Sequence, residues 1–248
     1  MYKKQKNFVA IIPARVGSKE IKKKNIFPIN GHPLVSYSIE AAKKSKFIKD
    51  IFVTTDGKDI AKVAKKYGAK IIKRPKRLSN DAAQIEPAIL HAIKYIEKMF
   101  KKEIDNVVLL QPTSPLRGTD DLDNAIKKFI KDKADSLFSC VSLHPHVWRD
   151  TGSKILPLGH HPSKRKNRQN MKHADLIEDG SIYVTKKRIY KIKKNRLGGK
   201  ISRYIMNNYS VFQVDTKNDL DFISTILKTK IKKTFKIVSP KKINESTD

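Results

Sequence analysis

This sequence is short of cysteine and of long apolar runs. Among its 248 residues, Cys140 is the single cysteine, so the chain cannot form an internal disulfide. Cys140 lies in an apolar segment, and we expect a buried thiol rather than a nucleophile. No apolar run approaches the ~20 residues of a membrane helix, and residues 1–7 lack the apolar stretch of a signal peptide. The sequence therefore predicts a cytoplasmic protein that does not bind a membrane.

Acidic residues are also scarce, because 24 Asp and Glu face 54 Lys and Arg, which gives a formal net charge of +30. Such an excess would first indicate nucleic-acid binding. The lysines, however, fall between apolar positions on several predicted helices, which is typical of solvated faces. No nucleic-acid module and no zinc spacing of Cys and His is present. We therefore expect weak, nonspecific affinity for polyanions and no specific nucleic-acid partner.

Short apolar runs alternate with amphipathic stretches through most of the chain, and these patterns predict strands and helices. Strands are predicted at 8–12, 51–54, 69–72, 107–110, 137–141, 181–185 and 201–206, and helices at 34–44, 60–67, 85–100, 122–130 and 219–227. The alternation predicts a single α/β domain over residues 1–248, with a mainly parallel sheet and helices on both faces. Ligands of such sheets bind at the carboxyl ends of the strands.

The alternation fails from residue 144 to 176, where Pro, His, Lys and Arg are frequent. A structureless stretch of this length is uncommon inside a compact domain, so we expect it to be functional or held by a partner. Its histidines fit no familiar zinc spacing and are interpreted as surface residues: His144, His146, His160, His161 and His173. The lysine-rich residues 229–248 are predicted to form a peripheral tail.

The loop after the first predicted strand has the chemistry of a phosphate site. Within a few residues it gathers small polar residues and cations, namely Arg15, Gly17, Ser18, Lys19 and Lys24. A glycine lets the backbone approach an anion, hydroxyl and amide groups donate hydrogen bonds, and cations neutralise a polyphosphate. The spacing fits neither the P-loop nor the Gly-x-Gly-x-x-Gly pattern. Taken alone, the loop leaves open the simpler interpretation of a lysine-rich turn.

The segment Gln111-Pro112-Thr113-Ser114-Pro115-Leu116-Arg117 follows a second buried-strand candidate. Its two prolines restrict the residues before them, so Gln111 and Thr113 are held in an extended geometry. The alternative is a rigid loop that caps a helix beginning near Thr119. Both loops resemble signatures of the CMP-sialic acid synthetases (acylneuraminate cytidylyltransferases), Ala-Arg-Gly-Gly-Ser-Lys-Gly-Ile-Pro-x-Lys-Asn and Leu-Leu-Gln-Pro-Thr-Ser-Pro-Leu-Arg. In the first of them, Val16 and Glu20 replace two glycines.

Further segments resemble the same family in the expected order, so that the resemblance covers roughly residues 8 to 223. They are Arg74-Pro75 with residues 78–82, the cationic residues 164–169, Asp179-Gly180-Ser181-Ile182-Tyr183, and Gly198-Gly199-Lys200. The resemblance implies a nucleotide-diphospho-sugar transferase-like fold. It also implies that the excursion at 144–176 makes a dimer interface, so we expect a homodimer.

The last matching segment, residues 211–216, departs from the family at one position. The family has Asp-Ile-Asp-Thr here, and alternate residues of one strand project two carboxylates to the same side. Gln213 replaces the first of these two acidic residues, so Asp215 supplies the one carboxylate that remains of the pair. Magnesium would then be held by Asp215 together with water or substrate phosphates. The alternative for Asp215 is a helix N-cap.

The resemblance implies a CTP-dependent enzyme that activates a nonulosonic acid of the sialic acid type, giving a CMP-sugar and pyrophosphate. The expected nucleotide contacts are Arg15, Ser18, Lys19, Lys24, Asn25, Arg74, Asn80 and Asp81. The expected sugar-acid contacts are Gln111, Arg165 and Arg168; the catalytic cations are Arg15, Lys24 and Arg168; and Asp215 is the expected Mg²⁺ ligand. Legionaminic, pseudaminic or 3-deoxy-manno-octulosonic acid stay open as acceptors, and so do a catalytically weakened nucleotide-binding relative and a basic nucleic-acid binder.

Overall fold

The computed structural model describes residues 7–18, 20–80, 83–143, 146–164, 166–170 and 175–241. The strands are β1 (Phe8–Pro13), β2 (Pro28–Ile29), β3 (His32–Pro33), β4 (Ile48–Thr55), β5 (Lys70–Lys73), β6 (Asn106–Leu110), β7 (Ser136–Leu143), β8 (Val147–Asp150), β9 (Ile155–Leu158), β10 (Asp175–Lys186) and β11 (Ile201–Ile205). The helices are α1 (Leu34–Lys44), α2 (Lys58–Lys66), α3 (Ile85–Met99), α4 (Asp121–Lys131), α5 (Lys187–Lys193), α6 (Lys217–Lys228) and α7 (Lys230–Thr234).

The described residues form one seven-stranded sheet in the order β11-β7-β10-β6-β1-β4-β5. Strand β1 is parallel to β4 and β6, β4 to β5, and β7 to β11, whereas β10 is antiparallel to both of its neighbours. The predicted α/β fold with a mainly parallel sheet is confirmed. Because β1, β4, β5 and β6 are parallel, their carboxyl ends share one edge of the sheet.

Strand β1 shows how the sequence builds a core on each face of the sheet. Successive side chains of a strand point to opposite faces. Phe8, Ala10 and Ile12 pack with residues of α1, α2 and α4, whereas Val9 and Ile11 pack with residues of α3 and α5. A strand buried on both faces is apolar throughout. That continuous apolar pattern is why the strand was predictable, and it fixes the loop that follows Pro13.

The excursion at 144–176 contains regular structure that the sequence did not predict. Strands β8 and β9 pair as an antiparallel hairpin, short 3-10 turns follow at Pro162–Lys164 and Arg168–Asn170, and β10 already begins at Asp175. The prediction failed because the hairpin contributes little to the core. All four residues of β8 are exposed, so burial does not impose an apolar pattern on it.

The prediction of a peripheral tail from residue 229 is wrong as far as Val238. Helix α7 follows α6 directly, and Ile237 and Val238 are buried. Thr119 N–H donates to the carbonyl of Lys236 at 2.9 Å, and Val238 N–H donates to the carbonyl of Arg117 at 2.8 Å. The segment is lysine-rich, but its few apolar residues and its backbone anchor it against residues 117–119. Residues 242–248 of the predicted tail lie outside the described ranges.

Candidate active site

A cleft of about 480 Å³ lies at the carboxyl ends of β1, β5 and β6. This volume is within the range of small-molecule sites, and the position is where open α/β sheets bind ligands. The cleft brings together predicted residues that are up to 200 positions apart in the sequence, Arg15, Ser18, Lys24, Asn25, Arg74, Asn80, Gln111 and Asp215. It is also lined by Pro13, Gly17, Glu20, Leu78, Ala83, Gln84, Ile85, Pro112 and Thr113.

The loop after β1 is fixed to a second wall of the cleft by hydrogen bonds. Arg15 Nη1 donates to the carbonyl of Asn80 at 2.9 Å, and Asn25 Nδ2 donates to the carbonyl of Arg15 at 2.8 Å. The backbone N–H of Val16 donates to Asp56 Oδ1 at 3.0 Å. These bonds hold a cation-bearing loop at the cleft.

Arg74 supplies a buried cation to the same wall, directly after β5. It is 6% exposed, its Nη2 donates to the carbonyl of Thr54 at 2.5 Å, and its backbone N–H donates to the carbonyl of Thr55 at 2.8 Å. Burial lowers the pKa of Arg74 to about 10, against the attraction of Asp56. The group therefore stays charged at neutral pH. Its buried Nε has no hydrogen-bond partner within the described part of the chain, which leaves one donor unused.

Lys24 and Asp215 form an ion pair across the mouth of the cleft. Lys24 Nζ donates to Asp215 Oδ1 and to the carbonyl of Val214, each at 3.0 Å. The Lys24 side chain is 17% exposed and that of Asp215 is 67% exposed, so the carboxylate remains open to solvent on its other side. The lysine thus fixes the segment that carries Asp215 against the loop after β1.

The segment around Asp215 differs from the expected strand. A 3-10 turn at Asn208–Val211 leads through irregular backbone into α6, so Gln213 and Asp215 are not paired along a strand. The N-cap alternative for Asp215 is wrong as well. Thr216 caps α6, and it forms a capping box with Asp219, whose carboxylate accepts from the Thr216 N–H at 2.7 Å.

The carboxylates that line the cleft, Glu20 and Asp215, suit a magnesium ion that arrives with phosphate. In the described ranges, no three His, Cys, Asp or Glu side chains come together as a metal site. Magnesium is usually bound by one or two carboxylates, with substrate phosphates and water completing the octahedron. The donor set therefore fits a substrate-assisted site and not a cage made of protein alone.

Arg117 anchors the backbone of Gln111, and sequence analysis did not assign it a role. Its guanidinium is 1% exposed and donates through Nη2 to the carbonyls of Gln111 at 2.7 Å and Ser181 at 2.8 Å, and through Nη1 to Ser38 Oγ at 2.9 Å. Burial lowers the pKa of Arg117 to about 10, so it stays charged at neutral pH. The signal that could have found it is the charged residue that ends a stretch otherwise free of charge, residues 107–117.

Asp179 completes this buried polar network from β10. It is fully buried, its Oδ1 accepts from Ser139 Oγ at 2.5 Å and from the Ser181 N–H at 3.0 Å, and its Oδ2 accepts from Ser210 Oγ at 2.7 Å. Its charge favours the protonated form of Arg117. A buried charge is tolerated where an opposite charge and hydrogen bonds compensate its loss of hydration. The network therefore holds the backbone of Gln111 and Ser181 in place beside the cleft.

Four predicted site residues are not placed by the structure. Lys19, Asp81 and Arg165 lie outside the described residues, and for Arg168 the structure describes the backbone, in a 3-10 turn, but not the side chain. Of the histidines, His146 and His160 have ring centroids 5.0 Å apart in the hairpin region. His144 and His173 lie outside the described ranges.

An α/β sheet with a cation-rich cleft at the carboxyl ends of its strands suits an anionic ligand such as a nucleotide. Residues 9–237 match a family model described as Cytidylyltransferase, and the chain belongs to this cytidylyltransferase family. The predicted family and enzyme class are thereby confirmed. Each helix in the described ranges is too short or too polar to cross a membrane.

The chain is similar to several curated proteins at about the same level. It is 30% identical to Post-translational flagellin modification protein B of Campylobacter coli, over 88% of this chain and 94% of that protein. It is also 30% identical to a Pseudaminic acid cytidylyltransferase of Campylobacter jejuni, over 89% and 96%. It is 33% identical to N-acylneuraminate cytidylyltransferase A of Danio rerio, over 89% of this chain but only 50% of that longer protein.

Among solved structures, the chain is similar to CMP:2-keto-3-deoxy-manno-octonic acid synthetase complexed with CTP. The TM-score is 0.64 at 18% identity, and the match covers 89% of this chain and 98% of that one. A 4-diphosphocytidyl-2C-methyl-D-erythritol synthase matches with a TM-score of 0.63 at 14% identity, over 91% and 100%. At these identities the likeness supports the fold.

Proposed function

We propose that this protein transfers a cytidylyl group from CTP to the anomeric hydroxyl of a nonulosonic acid of the sialic acid type. The observation that carries the proposal is the cleft, which joins the cationic loop of Arg15 and Lys24 to Gln111 and Thr113 of the proline-stiffened segment. One side of it suits a triphosphate and the other suits the polar groups of a sugar acid. The relatives named for N-acylneuraminate and pseudaminic acid support this substrate class.

In the proposed reaction, a bond forms between the anomeric oxygen and the α-phosphorus of CTP, and the bond from that phosphorus to the β-phosphate oxygen breaks. Pyrophosphate leaves, and the hydroxyl proton passes to water. Phosphoryl-type transfer relies on positioning and on stabilisation of charge. Arg15, Lys24 and Arg74 supply that charge from the cleft wall, and Ser18, Asn25 and Asn80 contribute polar contacts to the nucleotide.

The remaining predicted contacts belong to the same proposal. Lys19 and Asp81 would join the nucleotide side, and Arg165 and Arg168 would face the sugar acid or the pyrophosphate. Their support is the matching motifs. The acceptor itself stays open among sialic, legionaminic, pseudaminic and 3-deoxy-manno-octulosonic acids, because relatives with different acceptors have similar identities to this chain.

Magnesium is the proposed cofactor, with Asp215 as its protein ligand. A bound Mg²⁺ would neutralise charge on the phosphates of CTP. Lys24 holds Asp215 at the cleft mouth, where 67% of the carboxylate side chain is exposed and available to a ligand that enters from solvent. Glu20 lines the same cleft and is a second carboxylate within reach of this region.

We also propose that the protein is a homodimer. We place it in the cytoplasm, where we expect the CTP that the reaction consumes. The β8–β9 hairpin displays Val147, Trp148, Ile155 and Leu156, which are 37%, 43%, 58% and 44% exposed. An isolated two-stranded hairpin is marginally stable in water, and a group of exposed apolar side chains marks an interaction site. A second copy of the chain is the partner that the matching family suggests.

The test is pyrophosphate release by the purified protein with CTP, MgCl₂ and a panel of nonulosonic acids. We expect release with at least one acid and a matching CMP-sugar by mass spectrometry. Thermal-shift titrations with CTP, UTP, ATP and GTP should show the largest stabilisation with CTP. A preference for ATP or GTP would refute the nucleotide assignment, and stabilisation by CTP without turnover on any acid would favour the weakened nucleotide-binding relative.

A further inference from the structure

Strand β4 lies between β1 and β5 in the sheet, and its carboxyl end binds the segments that follow both neighbours. The carbonyl of Thr54 accepts from the Ala14 N–H at 3.0 Å and from Arg74 Nη2 at 2.5 Å. The carbonyl of Thr55 accepts from the Arg74 N–H at 2.8 Å. The end of β4 therefore connects the loop after β1 to Arg74 after β5, and both line the cleft.

Asp56 follows β4 directly and adds a charged acceptor to this connection. Its Oδ1 accepts from the Val16 N–H at 3.0 Å, which fixes the loop after β1 by its backbone. An ionised carboxylate forms a stronger hydrogen bond than a neutral carbonyl. Because the Val16 N–H is engaged by Asp56, the contacts to an anion fall to Gly17 and Ser18, which line the cleft.

The same loop packs against the residue after Asp56. A Cβ added to Gly57 would lie 2.4 Å from Val16 Cγ2, so the Val16 side chain occupies the space that a side chain at position 57 would fill. Gly57 is itself held in place, because its N–H donates to Thr55 Oγ1 at 3.1 Å. The loop is therefore seated on Asp56 and Gly57 by a hydrogen bond and by direct packing.

Asp56 also supplies an opposite charge to Arg74. Burial disfavours the charged form of the Arg74 guanidinium, and the charge of Asp56 offsets part of this cost. A buried cation is tolerated where an anion compensates its loss of hydration. Asp56 does not line the cleft, so it stabilises this cation without placing its carboxylate against a bound phosphate.

We propose that Asp56 is a positioning residue for the triphosphate, which holds the loop after β1 and the Arg74 guanidinium in the arrangement that CTP meets. This inference rests on the proposed cytidylyltransferase function. It gives a role to a carboxylate that repulsion from a bound triphosphate would otherwise disfavour beside the cleft.

The test compares Asp56→Ala and Asp56→Asn with the wild type by isothermal titration calorimetry with CTP and MgCl₂. Asp56→Ala removes the hydrogen bond and the charge, so the Kd for CTP should rise at least about tenfold, the loss expected for one hydrogen bond to a charged group. Asp56→Asn keeps an oxygen that can accept from the Val16 N–H, so its Kd should rise only about threefold. In Asp56→Ala, the Kd for CMP should rise less than that for CTP, because CMP carries one phosphate instead of three.

Asp50→Asn is the matched control, since Asp50 lies on the same strand but pairs with Lys70 and Lys102 outside the cleft lining. Its Kd for CTP should equal that of the wild type. An unchanged Kd for CTP in Asp56→Ala, equal losses in the Ala and Asn variants, or equal losses for CTP and CMP would each overturn the inference. Should thermal melting show that Asp56→Ala does not fold, the threefold change in Asp56→Asn decides alone. A wild type that does not bind CTP would refute the proposed function, whereas a wild type that binds CTP with variants that contradict these expectations would refute this inference only.

Discussion

Replacing Arg15 is the most direct test of the proposed triphosphate contacts in the cleft. It sits on a loop and not in the core, so Arg15→Ala should fold normally and lose charge-assisted bonds to phosphate. Such a bond contributes ~1.5 to 3 kcal/mol, so kcat/KM should fall at least about tenfold. Steady-state kinetics with CTP varied will measure this.

Arg77→Ala is the matched control, since Arg77 is an exposed arginine close in sequence to Arg74 but outside the cleft lining. It should keep wild-type kinetics. Full activity in a folded Arg15→Ala protein would remove Arg15 from the site.

Asp215 is the residue on which the metal proposal depends. Asp215→Asn removes the charge that a magnesium ion would meet and also the partner of Lys24. We expect the rate at saturating Mg²⁺ to fall at least about tenfold and the half-saturating Mg²⁺ concentration to rise. Titration of the rate with MgCl₂ after treatment with a chelator will measure both.

Asp221→Asn changes an exposed carboxylate on α6 and serves as the control for Asp215→Asn. Should Asp215→Asn retain both the rate and the Mg²⁺ dependence of the wild type, the metal ligand must be sought elsewhere, with Glu20 as the first alternative.

At the scale of elements, Asp135 joins three of them at one end of the sheet. Its carboxylate accepts from Lys186 Nζ at the end of β10, from Arg188 in α5 and from the Lys200 N–H before β11. These hydrogen bonds, that of Lys186 above all, hold the pKa of Asp135 well below its usual 3.8. A carboxyl group whose pKa is lower in the folded than in the unfolded state stabilises the fold at every pH above its unfolded-state pKa. This stabilisation is lost as the pH falls from the unfolded-state pKa towards the folded-state pKa.

Asp135→Asn should therefore lower the free energy of unfolding at pH 7 by about 1 kcal/mol. Towards pH 3 the difference between variant and wild type should shrink, because the Asp135 carboxylate then becomes protonated in the unfolded state while it stays ionised in the folded protein. Urea unfolding at both pH values is the measurement. A difference that is the same at pH 7 and at pH 3 would show that the charge of Asp135 is not the cause.

The sequence predicted the buried elements well and the exposed ones poorly. The parallel strands β1 and β6 are apolar because they are buried on both faces, and α1 was predicted with its observed bounds. The antiparallel direction and full length of β10 were not predictable, because they depend on pairing with β6 and β7 and on a shift of register between Glu178 and Tyr183. Local sequence carries little information on such long-range pairing.

The site was predictable where a loop follows a buried strand and unpredictable where distant segments meet. Arg15 and Gln111 were found from their motifs, and the cleft brings them together. The Lys24–Asp215 ion pair spans 191 positions, and no local pattern reveals it. The strand geometry predicted for residues 211–216 is wrong, because residues 212–215 are irregular backbone and do not alternate along a strand.

At the scale of the whole molecule, substitutions in the β8–β9 hairpin test the proposed homodimer. Trp148→Asp combined with Ile155→Asp places two charges on the exposed apolar group and should yield a monomer, since an unpaired charge buried in an interface is strongly unfavourable. Analytical ultracentrifugation at micromolar concentration is the measurement. Ile192→Asp, on the exposed surface of α5, is the control and should leave the assembly unchanged.

A wild-type protein that sediments as a monomer and is fully active would contradict the dimer proposal. The same result would weaken the roles proposed for Arg165 and Arg168, since both lie in the excursion that the resemblance assigns to the dimer interface.

The backbone pairing of residues 236–238 with residues 117–119 has a practical consequence for anyone who shortens this protein. A chain cut after Lys228 would leave the Thr119 N–H and the Arg117 carbonyl without their partners, and would expose part of the cluster that Ile237 closes. The Arg117 guanidinium also donates to the backbone carbonyl of Gln111, so trimming residues 229–248 would affect the Gln111 side of the cleft through a single side chain. A cut after Lys241 keeps this backbone pairing. Comparing the melting temperatures of the two truncated chains will show how much the pairing contributes to the stability of the fold.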